Sequence, residues 1–316
     1  MIYIILAFVL AFVTALSGLF YKKLIVHPIT MSLLLTLVIF SVFSIETAVK
    51  YEKEKKEKNN LENPNNLENP FKKIFTLDAL KIGLSGYVIF LTLIFAIKKL
   101  PLTFVIPLSL IWMVFAIVFG KIMLNIPITK TKIIGLSIII IGVLFMNYHH
   151  FKLKTIDFNK GMIIFLLLFI GTQVLRGYQL TEIKKLETKY ENNELLVMDF
   201  GINSILIVVT FIIYRLNPFN KWNVSPLESK KVLILALIIL GSVSTFRSYL
   251  RFKLVRKMPE ILFVLITNSS LIFTSLLAYK YLGESLTWNQ FVGAGLILFG
   301  IFKTNHKLIK DSHHIH

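Results

Sequence analysis

Ten segments of this 316-residue chain are apolar over nearly the length a bilayer demands, near 2–20, 29–49, 79–97, 101–120, 133–147, 161–178, 195–214, 231–250, 260–279 and 286–303. A helix needs about 20 apolar residues to cross the hydrocarbon core. The expected fold is therefore all-α and integral to a membrane, with ten transmembrane helices. The fifth segment is short, so it would have to stand nearly upright or sit in thin bilayer. The first, from Ile2 to Phe20, has no basic stretch before it and no small-residue cleavage pattern after it. It reads as a retained helix rather than a secretory signal.

The segments form two sets of five. Residues 83–144 overlay 241–302 without a gap at a constant offset of 158, matching Gly83 with Gly241, Lys99 with Lys257, Pro101 with Pro259, Phe115 with Phe273, Leu124 with Leu282, Thr129 with Thr287, Gly135 with Gly293 and Gly142 with Gly300. These identities are sparse, but they place the same turns and small residues at the same points of one hydropathy trace. An odd number of spans per copy turns the second copy upside down, the inverted arrangement used for alternating access. The expected organisation is a first five-helix repeat over 1–148, a second over 161–304, and a cytoplasmic tail over 305–316.

Composition agrees with a membrane: 55% of residues are hydrophobic and 27 are Phe, with mean hydropathy +0.72. The formal charge of +18 could suggest a nucleic-acid partner. Its lysines, however, lie between the apolar runs, where they set topology and meet anionic headgroups. With the N-terminus in the cytoplasm, cytoplasmic segments carry roughly 22 Lys/Arg and external ones roughly 12, so both termini are expected inside. The loop 50–73 is Lys/Glu-rich and repeats Leu-Glu-Asn-Pro, a composition that suggests a disordered linker. Over 180–194, Leu180, Ile183, Leu186 and Tyr190 recur near helical period, prolonging the sixth helix along the interface. No cysteine is present, which excludes disulfides and thiolate metal sites. His149 and His150 fall in an external loop and His313, His314 and His316 in the tail, so they share no metal site. No metal and no cofactor is expected.

Polar residues in lipid are costly and tend to face a cavity. On the eighth span Gly241, Ser244, Thr245, Arg247, Ser248 and Arg251 fall on one face at about 100° per residue. That face is the expected lining of a central cavity, although snorkelling to headgroups is the favoured account of Arg251 and an even alternative for Arg247. An arginine there would select an anionic or zwitterionic substrate, because its fork pairs with carboxylate or phosphate. Gln173 and Arg176 on the sixth span, Asn203 on the seventh, Asn268 and Ser269 on the ninth, Tyr87 on the third and Trp112 on the fourth are further candidates. Helix-to-helix hydrogen bonding is as good an account of several of these. Asp199 and Arg176 could instead form a salt bridge that holds an inner gate.

The turn Leu282-Gly283-Glu284-Ser285-Leu286, followed by Gly293, Leu296-Ile297 and Gly300, resembles the EamA-type family of the drug/metabolite transporter superfamily. The resemblance is clear over 258–302, weaker over 83–144 and topological elsewhere. It implies ten helices in two five-helix inverted repeats that move small metabolites. The family's acidic residue after the ninth helix falls on Glu284; after the fourth, Ile126 stands in its place. The physical reading of Glu284 favours capping of the tenth helix after the tight turn at Gly283 over a coupling-ion or substrate role. Gly135, Gly142, Gly293, Gly295 and Gly300 are read as close-packing positions.

These readings converge on a secondary transporter of a small polar metabolite, with a small-molecule substrate and the lipid bilayer as partners, no nucleic acid, and a homodimer left open. The alternatives are a nucleotide-sugar exchanger of the same superfamily and a membrane scaffold or regulator that does not transport. An enzyme is not expected, as no HExxH pair, nucleophile elbow or phosphate-binding glycine loop occurs in the sequence.

Overall fold

The computed structural model describes residues 2–23, 28–59, 69–152, 159–216, 241–247, 250, 254 and 266–312. Among them helix dominates and no strand occurs. The helices are α1 (Ile2–Lys23), α2 (Pro28–Asn59), α3 (Leu77–Lys99), α4 (Leu102–Ser109), α5 (Trp112–Leu124), α6 (Lys130–Lys152), α7 (Lys160–Leu186), α8 (Asn192–Leu216), α9 (Ser270–Leu282) and α10 (Trp288–Ser312). Among the described residues seven stretches are long and apolar enough to cross a membrane: α1, α2, α3, the α4–α5 pair, α6, α7 and α8. Most of the span expected near 231–250, and Ser248 and Arg251 with it, lies outside the described residues, as do His313, His314 and His316.

Three expectations change. The fifth span is not short, because α6 runs for 23 residues to Lys152 and takes His149 and His150 out of the loop. The loop 50–73 is not wholly a linker. α2 continues through its Lys/Glu run to Asn59, where Lys50 and Glu54 meet one turn apart at 3.6 Å, a spacing that favours helix. Pro70–Phe75 then forms a 3₁₀ turn whose first free N–H, on Phe71, is accepted by Asn69 Oδ1 at 3.0 Å. The tail is also shorter than expected, since α10 extends to Ser312.

The chain divides into two compact units. Unit one holds Met1–Leu24, Thr92–Tyr178 and Phe246–His316; unit two holds Ile25–Leu91 and Gln179–Thr245. The cuts after residues 24 and 91 recur after 178 and 245, each 154 residues on. Each unit therefore takes corresponding parts of both halves of the chain, as an internal duplication requires.

Within unit one, α6 and α10 meet backbone to backbone. A Cβ on Gly135 or Gly300 would lie 2.7 Å from the other's carbonyl oxygen, and one on Gly293 2.7 Å from that of Gly142. The glycines of each helix are seven residues apart, a spacing that keeps both on one face. Ile139, Val143, Met146, Ala294, Ile297 and Ile301 fill the layers between them. Gly295, by contrast, faces open space and serves no close approach. Within unit two, α2 lies along α8, where Phe43 stacks on Phe200 at 5.9 Å. Gly201 admits Ile74 of the 3₁₀ turn, and Gly83 on α3 admits Ile202.

Candidate functional site

In unit one the fourth span is broken. α4 stops at Ser109 and α5 starts at Trp112. Between them the N–H groups of Leu110 and Ile111 reach back only three residues, to the carbonyls of Pro107 and Leu108. Ser109 Oγ donates to the Ile106 carbonyl at 2.7 Å just before the interruption, a back-bond of the kind that bends helices, and Pro107 within α4 offers no N–H of its own. The second copy breaks at the matching point without a proline there. α9 starts at Ser270, and the Ser269 N–H reaches back three residues to Ile266. Ser269 Oγ donates to that same carbonyl at 2.6 Å, a back-bond of the kind that bends helices. Neither α5 nor α9 has a side-chain cap at its start. The backbone stays right-handed helical through both interruptions, and the N–H groups beyond them remain bonded, Met113 to Leu110, Val114 to Ile111, and Ile272 and Phe273 to Ser269, so each is a 3₁₀ kink in its span.

Two of the candidate side chains meet beside the first of these breaks. The Arg176 guanidinium lies over the Trp112 ring, 5.3 Å from its centroid. Gly177 makes this approach possible, because a Cβ there would fall 2.7 Å from the Ala116 nitrogen and the Phe115 side chain. Tyr178 meets Phe119 edge-on at 5.8 Å. One turn before Arg176, buried Gln173 donates through Nε2 to the Phe169 carbonyl and to Thr172 Oγ1, both at 3.2 Å. Among the described residues its Oε1 is buried without a partner. The wall thus combines a guanidinium and an aromatic face. On the other break, Asn268 is half-buried and Ser269 spends its hydroxyl on the backbone.

Unit two holds the remaining candidates. The Tyr87 and Thr210 hydroxyls are hydrogen-bonded. Gln179 Nε2 donates to the Ile82 carbonyl at 2.9 Å and to Asp199 Oδ1 at 3.4 Å, and bare backbone at Gly86 gives both side chains room. Among the described residues, Asn203 Oδ1, Ser204 Oγ and Thr245 Oγ1 are buried without partners. So are Ser32 Oγ and Thr36 Oγ1 of α2, which sequence reasoning missed. Their four-residue spacing, one turn of a helix, was the available signal. Ser244 is wholly buried and Arg247 half-buried. The division after Thr245 assigns Ser244 and Thr245 to unit two and Arg247 to unit one, and it likewise separates Asp199 from Arg176.

Ion pairs tie the ends of the unit-two helices: Lys73 to Glu194 at 2.6 Å, Lys189 to Asp78 at 2.9 Å, Lys81 to Glu182 at 3.9 Å, and Lys50 to Glu191. Hydrogen bonds to Tyr190 and Asp78 hold the exposed Lys189 ammonium above the usual lysine range.

A second cluster lies at the start of α4. α9 ends on Gly283 in the left-handed conformation, φ 67°, and the Glu284 N–H returns to the Ala278 carbonyl at 3.3 Å. This closure delivers the Glu284 carboxylate to α4, not to the tenth helix as expected. It accepts from the Leu102 N–H at 2.8 Å, the Thr103 N–H at 3.0 Å and the Thr103 hydroxyl at 2.6 Å. The reason lies in Pro101, which occupies the cap position of α4 and has no side-chain acceptor. At the start of α10, by contrast, Gln290 Oε1 accepts from the Thr287 N–H at 3.4 Å. Thr103 Oγ is also 3.0 Å from Nε2 of the buried His150, which sits edge-on to Phe104 at 5.6 Å. Among the described residues no group of three or more His, Cys, Asp or Glu side chains is placed to hold a metal.

The EamA-like transporter family model matches residues 1–148 and 162–305. A solved structure described only as "Crystal structure of protein" aligns over 96% of this chain and 96% of its own at a TM-score of 0.60 and 13% identity, a likeness that bears on the fold alone. A search of curated proteins finds no match. Two family matches that together span nearly the whole chain, on apolar helices with a duplicated turn, identify a multi-pass integral membrane protein that belongs to the EamA-like transporter family.

Proposed function

We propose that this chain is a ten-span secondary transporter that moves a small polar metabolite by alternating access, with both termini in the cytoplasm. The observation that carries this reading is the matched pair of breaks before Trp112 and Ser270. A 3₁₀ stretch inside a helix often marks a functional hinge, and a matched pair of them in inverted repeats suits helices that rock between two access states. Beside the first break, Arg176 would pair an anionic group and Trp112 would stack on an apolar part. Asn268 would serve from the second break. Arg247 is the second cation available to a carboxylate or phosphate.

Thermal stabilisation of the purified protein tests this reading across amino acids, nucleobases, nucleotide sugars and organic anions, alongside Arg176→Ala and Arg247→Ala. A compound at about 100 times its Kd adds about 2.7 kcal/mol to the folded state. The expected result is a stabilising compound whose effect disappears in Arg176→Ala. Stabilisation by neutral compounds alone, unaffected in both variants, would remove the arginines from the site. A well-folded protein that answers to no class would favour a scaffold without transport.

A further inference from the structure

At the start of α4 three side chains form a chain of hydrogen bonds with one consistent direction. Thr103 has a single hydroxyl proton, and the 2.6 Å contact commits it to the Glu284 carboxylate, which only accepts when ionised. The Thr103 oxygen must then accept from His150, so Nε2 carries the proton across the 3.0 Å separation. Both Thr103 and His150 are more than nine-tenths buried.

Other charged groups near this chain come from α1, α3 and α9, where Lys23 and Lys280 both lie 5.4 Å from the Tyr281 ring that precedes the Glu284 turn. Lys22 of α1 donates to the carbonyls of Lys98 at 3.2 Å and Leu100 at 2.8 Å and acts electrostatically on Glu284. Lys98 closes α3 beside it. α4 itself contributes no charged residue.

We propose that His150, Thr103 and Glu284 form a proton-sensitive latch on the start of α4, regulating the Trp112–Arg176 site. The consequence for a substrate rests on the transporter reading; the latch itself does not. When His150 gains its second proton, a full charge stands behind the Nε2 donor, Thr103 is polarised more strongly and Glu284 is bound more tightly. Charge-assisted hydrogen bonds are the stronger kind. The ammonium of Lys22 opposes a second cation but leaves the direction of the hydrogen-bond chain unchanged. The latch tightens when His150 takes up that proton and slackens when it gives it up. From Leu102 the effect runs along α4 to the break and to Trp112, ten residues on and about 15 Å away.

Hydrogen exchange on the full-length protein in nanodiscs tests the latch, with the proton itself as the probe. After correction for the chemical pH dependence of exchange, amides 102–109 should exchange roughly tenfold more slowly on the acid side, the effect of one charge-assisted hydrogen bond. His150→Gln keeps a donor near Nε2 but does not titrate, so its exchange should be independent of pH. Thr103→Val cuts the chain and should exchange faster at every pH. A wild-type pH response that survives in His150→Gln overturns the proposal. Trp112 fluorescence, read in a Trp222→Phe, Trp288→Phe background, should follow the same titration and lose it with His150→Gln. Constant emission while α4 responds would overturn the regulatory half. Neither readout uses a transported compound, so a pH-blind latch beside a successful ligand screen rejects the latch alone. A titrating latch beside an empty screen rejects only the transporter.

Discussion

Asn125 and Gly283 end their helices in the same left-handed conformation, φ 55° and 67°, and are the only non-Gly and the only Gly residue at positive φ among the described residues. Ile126 and Glu284, which follow them, each return an N–H to the carbonyl six residues back, at 3.1 and 3.3 Å. The next helices start at Lys130 and Trp288, again 158 residues apart. The backbone of this turn is therefore the same in both repeats, while its side chains have parted. Asn and Gly are the residues that accept the left-handed state most readily, so either serves. What the following side chain does depends on what it meets: Glu284 meets a helix start capped only by proline, and answers it with a carboxylate. Geometry is shared by the repeats; chemistry belongs to one of them.

A related pattern appears at the breaks. A serine back-bonds to the carbonyl three residues before it in both copies, Ser109 to Ile106 and Ser269 to Ile266, and only the first copy adds a proline, Pro107, close by.

Substitutions at equivalent positions can break this comparison. The largest effect is expected where the repeats agree most closely. Gly135→Leu and Gly293→Leu both force a side chain into opposing backbone and should each cost about 3 kcal/mol in detergent unfolding. Costs that differ by more than about 1 kcal/mol would show that the α6–α10 crossing is not two-fold in energy. Next is the position where the repeats differ. Glu284→Ala strands two backbone donors and a hydroxyl and should cost about 2 kcal/mol, whereas half-buried Ile126→Ala should cost about 1. Equal losses would mean that the carboxylate does no more than an apolar side chain in the other copy. The smallest effect separates the two left-handed residues. Gly283→Ala should cost about 1 kcal/mol, while Asn125→Gly should stay within about 0.5 of wild type. A large loss in Asn125→Gly would assign its side chain a role beyond the turn.

Much of the architecture was legible because it is periodic. Apolar length gives spans, and glycines seven apart give a helix seam, whatever lies elsewhere in the chain. Trp112 and Arg176 were each legible as polar or aromatic residues within apolar runs. Their meeting was not, because it depends on Gly177 bringing α7 onto α5. Ser32 and Thr36 escaped notice because hydroxyls in a membrane helix are usually satisfied by their own backbone, as Thr14 and Ser17 are on α1. Only the fold shows that these two are not.

By itself the sequence determined an all-helical membrane chain with a duplicated plan, because hydrophobic length and the left-handed turn are local demands that neighbouring residues satisfy. Tertiary structure alone decided that Glu284 holds α4 rather than α10, that His150 is a buried member of that cluster, and that the two units draw on both repeats. Those outcomes depend on which unsatisfied backbone donor comes within reach of which acceptor. Leu102 and Glu284 are 182 residues apart in the chain, a separation across which no sequence periodicity carries information.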